Sequence, residues 1–108
     1  MTQKELNEIK PIICEISDLK KRILNERIIS ADGRIAYTSD GWEMFSKLYE
    51  LENRVSEAKE WIDNLDDSKI SQVFKYRYLD GLTWQSIAFK VGEFDESYVR
   101  RKHKRYLS

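Results

Sequence analysis

Residues 67–92 read Asp67-Ser-Lys-Ile-Ser-Gln-Val-Phe-Lys-Tyr-Arg-Tyr-Leu-Asp-Gly-Leu-Thr-Trp-Gln-Ser-Ile-Ala-Phe-Lys-Val-Gly92, followed by Glu93-Phe-Asp-Glu-Ser-Tyr-Val-Arg-Arg-Lys-His-Lys-Arg-Tyr-Leu107. Three short helices are punctuated here. The first opens on Asp67/Ser68, carries Ile70, Val73, Phe74, Tyr76 and Tyr78, and stops at Asp80-Gly81, where glycine suits the left-handed residue that ends a helix. The second opens on Thr83, a residue whose hydroxyl can accept from a free amide, carries Trp84, Ile87, Ala88 and Val91, and stops at Gly92. The third opens on Asp95. A helix, a short turn at glycine and a basic helix is the helix-turn-helix pattern, and Ala88 allows the close approach it needs.

Working outward, Leu6, Ile9, Ile13, Ile16, Leu19/Lys20 and Ile23 recur at spacings of three and four, an amphipathic helix over the first 27 residues. Pro11 lacks an amide and crowds the carbonyl of residue 7, so a kink there or a start near Lys10 is expected. A second long helix is expected after Thr38-Ser39-Asp40-Gly41, with Asp40 and Glu43 as a capping pair and Trp42, Phe45, Leu48, Leu51 (or Glu52), Val55, Ala58 and Ile62 as its stripe, ending near Asn64. Asp32-Gly33 is a turn signal between Ile28/Ile29 and Ile35/Tyr37 that admits a small β-hairpin. Two strands alone are marginal in water, which favours an irregular loop tucking Ile35 and Tyr37 back. The expected fold is all-α: a long helical hairpin over 1–66, then a three-helix unit over 67–108.

The chain has 108 residues, 41% hydrophobic and 12% aromatic, which is one globular domain's worth and too apolar for a disordered chain. It has no run of 18 apolar residues, so no membrane span is expected. The opening Met-Thr-Gln-Lys-Glu-Leu-Asn-Glu has no apolar leader, so a cytoplasmic protein is expected. Nineteen cations balance nineteen acids, but residues 1–66 carry a net of −4 and residues 67–108 a net of +4. Within 97–108 there are five cations and no acid, a pattern that meets polyanions, although a solvated helix end would look the same.

Catalytic chemistry finds no foothold. Cys14, among Ile12, Ile13 and Ile16, reads as a small buried apolar residue, and a nucleophilic role would need a base that His103, 89 positions away, does not supply. No paired carboxylates, phosphate loop or metal-ligand spacing is present, so no enzyme, cofactor or metal is expected.

The stretch Arg77-Tyr-Leu-Asp-Gly-Leu-Thr-Trp-Gln-Ser-Ile-Ala88, with its flanks over 75–107, resembles region four of bacterial sigma factors. It is closer still to small phage-encoded transcription regulators of the RinA/ArpU kind, which also place a helical pair ahead of the helix-turn-helix. The resemblance implies a sequence-specific DNA-binding transcription regulator, encoded by a phage or prophage and acting in the cytoplasm of a bacterial host cell. Two departures stand out: three residues (Glu93, Phe94, Asp95) rather than two separate Gly92 from the helix beginning Glu96-Ser97, and Lys102 occupies a position usually apolar and inward. Both bear on the rotation of the third helix.

With Val99, His103, Tyr106 and Leu107 inward, the outward residues are Ser97, Arg100, Arg101, Lys104 and part of Arg105. By resemblance Glu96, Ser97, Arg100 and Arg101 match base-facing positions. Arginine offers guanine a bidentate fork, so Arg100 and Arg101 are the expected base-readers, and Lys104 and Arg105 suit phosphates. Thr83 and Gln85 open the second helix, where amides and a hydroxyl can hold a phosphate. Trp84 is expected to pack between helices. The expected partners are double-stranded DNA and a second copy of the chain. The dimer rests on apolar residues off the helical seam (Ile12, Leu24, Tyr49, Trp61, Leu65) and would set two reading helices about one DNA turn apart. The rival is a monomer whose C-terminal helices cover those residues. A different reading has the helix-turn-helix dock on RNA polymerase or another protein, with the acids Glu93, Asp95 and Glu96 repelling phosphate.

Overall fold

Helix formation begins at Thr2, whose hydroxyl accepts from the Glu5 amide at 3.1 Å while the Glu5 carboxylate accepts from the Thr2 amide at 3.2 Å. The Thr2 amide, and the Thr2 hydroxyl donating to the same carboxylate at 3.0 Å, hold the Glu5 carboxyl below the usual carboxylate range. The structure, a computed structural model, describes residues 1–107. Helix α1 (Gln3–Asn7) ends at Glu8, and α2 (Ile9–Asn25) follows at once. The break lies where Pro11 withholds its amide from the Asn7 carbonyl.

Restarting at Ile9 changes the phase of the stripe. Ile9, Ile12, Leu19 and Ile23 are buried, while Ile13 and Ile16 are only partly covered. Ile12 therefore belongs to the seam. Cys14, two residues on and about 200° around the helix, faces out, so the expected buried cysteine is exposed. The partner helix α3 (Ser39–Asp63) runs antiparallel and supplies Leu48, Leu51, Val55 and Ala58 to the same core. Ion pairs Glu8–Arg54 (2.7 Å), Glu15–Lys47 (2.9 Å) and Lys20–Glu52 (3.4 Å) flank the seam. Exposed pairs of this kind contribute little stability beyond the apolar burial.

Two expectations about the connection are corrected. Arg27–Ile29 (β1) and Ile35–Tyr37 (β2) form an antiparallel hairpin, with Arg27 opposite Tyr37 and Ile29 opposite Ile35. An otherwise marginal hairpin stands because Tyr37 docks edge-on to Phe45 (4.8 Å) and Trp42 (5.9 Å) at the start of α3. Gly33 turns the chain at a φ of 85°, and Asp32 accepts from the Arg34 amide and the Ser30 hydroxyl. The cap of α3 is Thr38, not Asp40: its hydroxyl accepts from the Gly41 amide at 3.1 Å and donates to Glu26 at 2.6 Å. Gly41 suits this close approach, since a Cβ would meet those of Glu26 and Tyr37 at 3.1 Å, tighter than ordinary contact.

At the other end of α3 come α4 (Ser68–Phe74), a π turn (Lys75–Leu79), α5 (Trp84–Lys90) and α6 (Glu96–Lys104). Asp67, Thr83 and Asp95 cap the three helices as their side chains suggest, and Gly81 and Gly92 end two segments at φ of 71° and 77°. The first segment departs from the expected regular helix by widening into the π turn, where Asp80 donates to the Lys75 carbonyl at 3.1 Å. Phe74 and Tyr78 both reach the interior.

Leu6 and Ile62 share one buried cluster with Ile70, Phe74 and Tyr78, and Trp61, Leu65, Tyr106 and Leu107 pack around it. The C-terminal helices thus cover Trp61 and Leu65, two of the residues on which the dimer expectation rested, while Leu24 and Tyr49 stay exposed. A smaller cluster of Val73, Ile87, Ala88 and Val99 closes α5 onto α6. The fold is all-α apart from the hairpin, and it is elongated at 61 × 24 × 20 Å. Its radius of gyration is 18.5 Å, against about 13 Å for a compact chain of this length. Among the described residues no helix is long and apolar enough to cross a membrane.

Candidate nucleic-acid interface

The rotation of α6 is set by what it buries. Val99 and His103 are inside, and Tyr106 and Leu107 are partly covered, so the inward set is the expected one. His103 sits among Phe74 (5.0 Å), Trp84 (4.7 Å) and Tyr78 (5.7 Å between ring centres). Its Nδ1 lies 3.1 Å from the Arg100 carbonyl, which can only accept, so Nδ1 carries the proton. Nε2 then accepts from the Tyr78 hydroxyl at 2.5 Å. Burial pushes the His103 pKa down, against the Arg100 carbonyl bond that raises it, with Arg77 and Lys104 lowering it further. Burial pushes the Tyr78 phenol up to about 12, against the pull of Arg77.

Lys102 resolves its own departure from the pattern. Its stem is half-buried, and its ammonium lies 3.4 Å from the carboxylate of Asp67, the cap of α4, and 6.0 Å from the centre of the Tyr98 ring. A lysine at this inward position thereby pins α6 to α4. The Asp67 carboxyl is held below its usual range chiefly by the Ile70 amide, with Lys102 adding to the effect.

The outward face carries Ser97, Arg101, Lys104 and Arg105, all exposed. Arg101 bonds the Ser97 carbonyl through Nε at 3.3 Å. Arg100 differs from its neighbour: it is half-buried, its Nη2 pairs with Glu96 one turn back at 3.0 Å, and its Nε is buried with no partner among the described residues. Two of the expected base-facing residues are thus bonded to each other. Gln85 is exposed on α5, and the Thr83 hydroxyl is engaged with the Ser86 amide and hydroxyl.

Each acid at the start of α6 is occupied: Glu93 pairs with Lys69, Asp95 caps the helix by accepting from Ser97, and Glu96 holds Arg100. Trp84 packs inside as expected, with the Arg77 guanidinium over its ring at 4.8 Å and Arg77 also bonding the Leu82 carbonyl at 3.0 Å.

Sequence reasoning missed two aromatics. Phe89 and Phe94 are fully or almost fully exposed, at 87% and 106%, and with Gln85, Ala88, Glu93 and Glu96 they line an open groove between α5 and the turn. The only signal was the additional residue in that turn, which includes Phe94. Comparison of the chain with protein-family models, characterised proteins and solved structures finds no match.

Proposed function

We propose that this chain is a sequence-specific DNA-binding transcription regulator of the RinA/ArpU kind, encoded by a phage or prophage and acting as a homodimer in the cytoplasm of a bacterial host. The observation that carries the reading is the combination on α6: Arg101, Lys104 and Arg105 lie exposed on one face, Arg101 bonded to the Ser97 carbonyl through Nε, while Glu93, Asp95 and Glu96 are each tied up within the protein. A helix presenting cations without competing free acids suits the phosphate-lined major groove.

On this reading Arg101 offers its outer guanidinium edge to a guanine, and Arg100 joins it once Glu96 is displaced. Lys104 and Arg105 serve phosphates, where a point charge suffices. Gln85 approaches the backbone from α5, while Thr83 keeps its hydroxyl for the cap and contributes through the helix it starts. Binding to random duplex at low salt tests the reading. Affinity in the micromolar range is expected, with a log–log salt slope of roughly −2 to −3 per protomer from two or three phosphate contacts. No binding at micromolar protein overturns it.

Phe89 and Phe94 favour a second reading, in which the groove docks on RNA polymerase or another protein, because two bare phenyl rings are costly to leave in water. Salt separates the two: an apolar contact is nearly indifferent to ionic strength, whereas counterion release is not.

A further inference from the structure

Six large apolar side chains in residues 1–66 are exposed, and five of them (Leu24, Ile28, Ile29, Ile35 and Trp42) lie at the hairpin end of the molecule. The outward flanks of α2 and α3 are charged instead, with Glu, Lys and Arg alternating along them. Self-association by residues 1–66 therefore has its apolar surface at the tip rather than along the helices. The elongation matters too. The accessible surface is 7478 Å², whereas a compact monomer of 12.9 kDa exposes about 6,300 Å². The difference, about 1,200 Å², comes from the elongated shape, which leaves the hairpin tip standing clear of the C-terminal helices.

The hairpin also leaves backbone groups open. Ser30 donates to the Arg34 carbonyl at 2.9 Å and Thr38 to the Glu26 carbonyl at 3.1 Å. Antiparallel pairing alternates, so with Ser30/Arg34 and Glu26/Thr38 bonded, Ile28/Ala36 is the bonded pair between them. Arg27 and Ile29 then turn their amides and carbonyls away from β2, along an outer edge exposed at all three positions of β1. The corresponding edge of β2 is less open, because Tyr37 packs on α3.

We infer that the outer edge of β1 pairs antiparallel with the β1 edge of a second copy, joining two hairpins into a four-stranded sheet. The strand suits a two-fold axis at Ile28. Arg27 of one copy then faces Ile29 of the other on both sides of the axis, and the outward groups of both residues are satisfied, giving four bonds. The two Ile28 side chains meet at the axis as a non-bonded pair, the closer kind of neighbour in such a ladder. The contact is isologous and self-limiting, as a closed dimer requires. This inference rests on the self-association part of the proposed function and is independent of DNA.

Sedimentation of the full chain at tens of micromolar, with far-UV circular dichroism, tests it on three variants. The native chain is expected at twice 12.9 kDa. Ile28→Lys, at an exposed position, is expected to keep its helix signal and weaken the dimer about 100-fold or more. In a Cys14→Ser background, Ile28→Cys is expected to form an intermolecular disulfide, since a non-bonded pair sets its Cα atoms about 4.5 Å apart, within disulfide reach. Ile29→Cys, offset by two residues from its counterpart, is not. A native chain at 12.9 kDa overturns both self-association and the edge. A native dimer that survives Ile28→Lys, or cross-links as readily at Ile29→Cys, overturns the edge alone. Neither outcome touches DNA binding, which is read separately on the Ile28→Lys chain.

Discussion

Tyr78 and His103 bond side chain to side chain at 2.5 Å, joining the π turn to the last turn of the candidate recognition helix. The bond is fully buried and directional: the Arg100 carbonyl fixes the imidazole proton on Nδ1, which leaves Nε2 only the role of acceptor. Both members therefore stay neutral in the folded protein, and that has consequences at both ends of the pH scale.

Below neutrality, stability is expected to fall as pH falls. The folded pKa of His103 is depressed by burial, while the unfolded histidine titrates near 6.5. Above 6.5 both states are neutral; below it the unfolded chain binds a proton that the folded one refuses, until pH drops through the folded pKa. Glu5, Asp32 and Asp67, whose carboxyls are held low, titrate beneath this window. Thermal melts between pH 7.5 and 5 should show a declining Tm. The double variant Tyr78→Phe/His103→Phe, which removes donor and acceptor together, should flatten it; an unchanged slope there would disprove the assignment.

At the alkaline end, the Tyr78 phenol is raised from 10.0 to about 12. The folded state keeps its proton after the unfolded state has lost it, so this contribution is complete below pH 10 and declines as pH rises to about 12. Tyr78→Phe alone leaves Nε2 of His103 buried without a donor. It should cost about 1–3 kcal/mol at pH 7, read from urea midpoints, and a cost below about 0.3 kcal/mol would contradict the bond.

Leu6 ties the first helix to the C-terminal cluster, where it is fully buried with Ile62, Ile70, Phe74 and Tyr78. Leu6→Ala is expected to cost about 2–5 kcal/mol. The loss should appear as one cooperative transition in melts followed both by far-UV signal and by tryptophan fluorescence, since Trp61 borders the same cluster. Two separated transitions would show that the α2–α3 pair and the C-terminal helices unfold independently.

What was legible in the residues was local. Asp67, Thr83 and Asp95 cap helices, and Gly81 and Gly92 end segments, through bonds within a few residues of each, which spacing alone reveals. What was not legible depended on partners far along the chain. Thr38 wins the cap of α3 over Asp40 because Glu26, twelve residues back, holds its hydroxyl. The hairpin stands because Tyr37 finds Phe45. Pro11 announces the helix break, but the change of phase across it, which buries Ile12 rather than Ile13, does not show in the stripe. In the candidate site, the cations of α6 and the inward Val99 and His103 follow from helical spacing. The exposure of Phe89 and Phe94 does not, because phenylalanine in a sequence reads as core. Nor does residue type reveal that Arg100 is half-buried and paired with Glu96 while Arg101 is exposed and bonded through Nε to the Ser97 carbonyl.

That difference between adjacent arginines predicts different phenotypes. Arg101→Ala should relax sequence preference by about 1–3 kcal/mol for one base pair, and Lys104→Ala should weaken binding to all duplexes alike, lowering the salt slope by roughly one. Competition of a selected duplex against random DNA measures both. Equal losses on specific and random DNA for Arg101→Ala would mean that α6 meets the groove with another face, set by the three-residue turn at Glu93–Asp95.

The Glu96–Arg100 pair makes the opposite prediction, a gain. Its carboxylate neutralises a cation on the candidate DNA face and itself stands where phosphate repulsion is greatest. The two side chains are each 43% exposed, so the pair is weak and its loss should leave folding almost unchanged. Glu96→Gln keeps the shape of the side chain, replaces the charged acceptor of Arg100 by a weaker neutral one and removes one negative charge. Binding to random duplex at low salt should tighten by about 3- to 10-fold, and the salt slope should steepen by close to one as Arg100, without its guanine in a random sequence, takes up a phosphate. Arg100→Ala in the Glu96→Gln background should return the slope to its native value. If Glu96→Gln instead weakens binding to a selected duplex while leaving random DNA unaffected, Glu96 reads a base directly, as a carboxylate accepting from a cytosine amine does, and Arg100 is its positioning partner rather than a competitor.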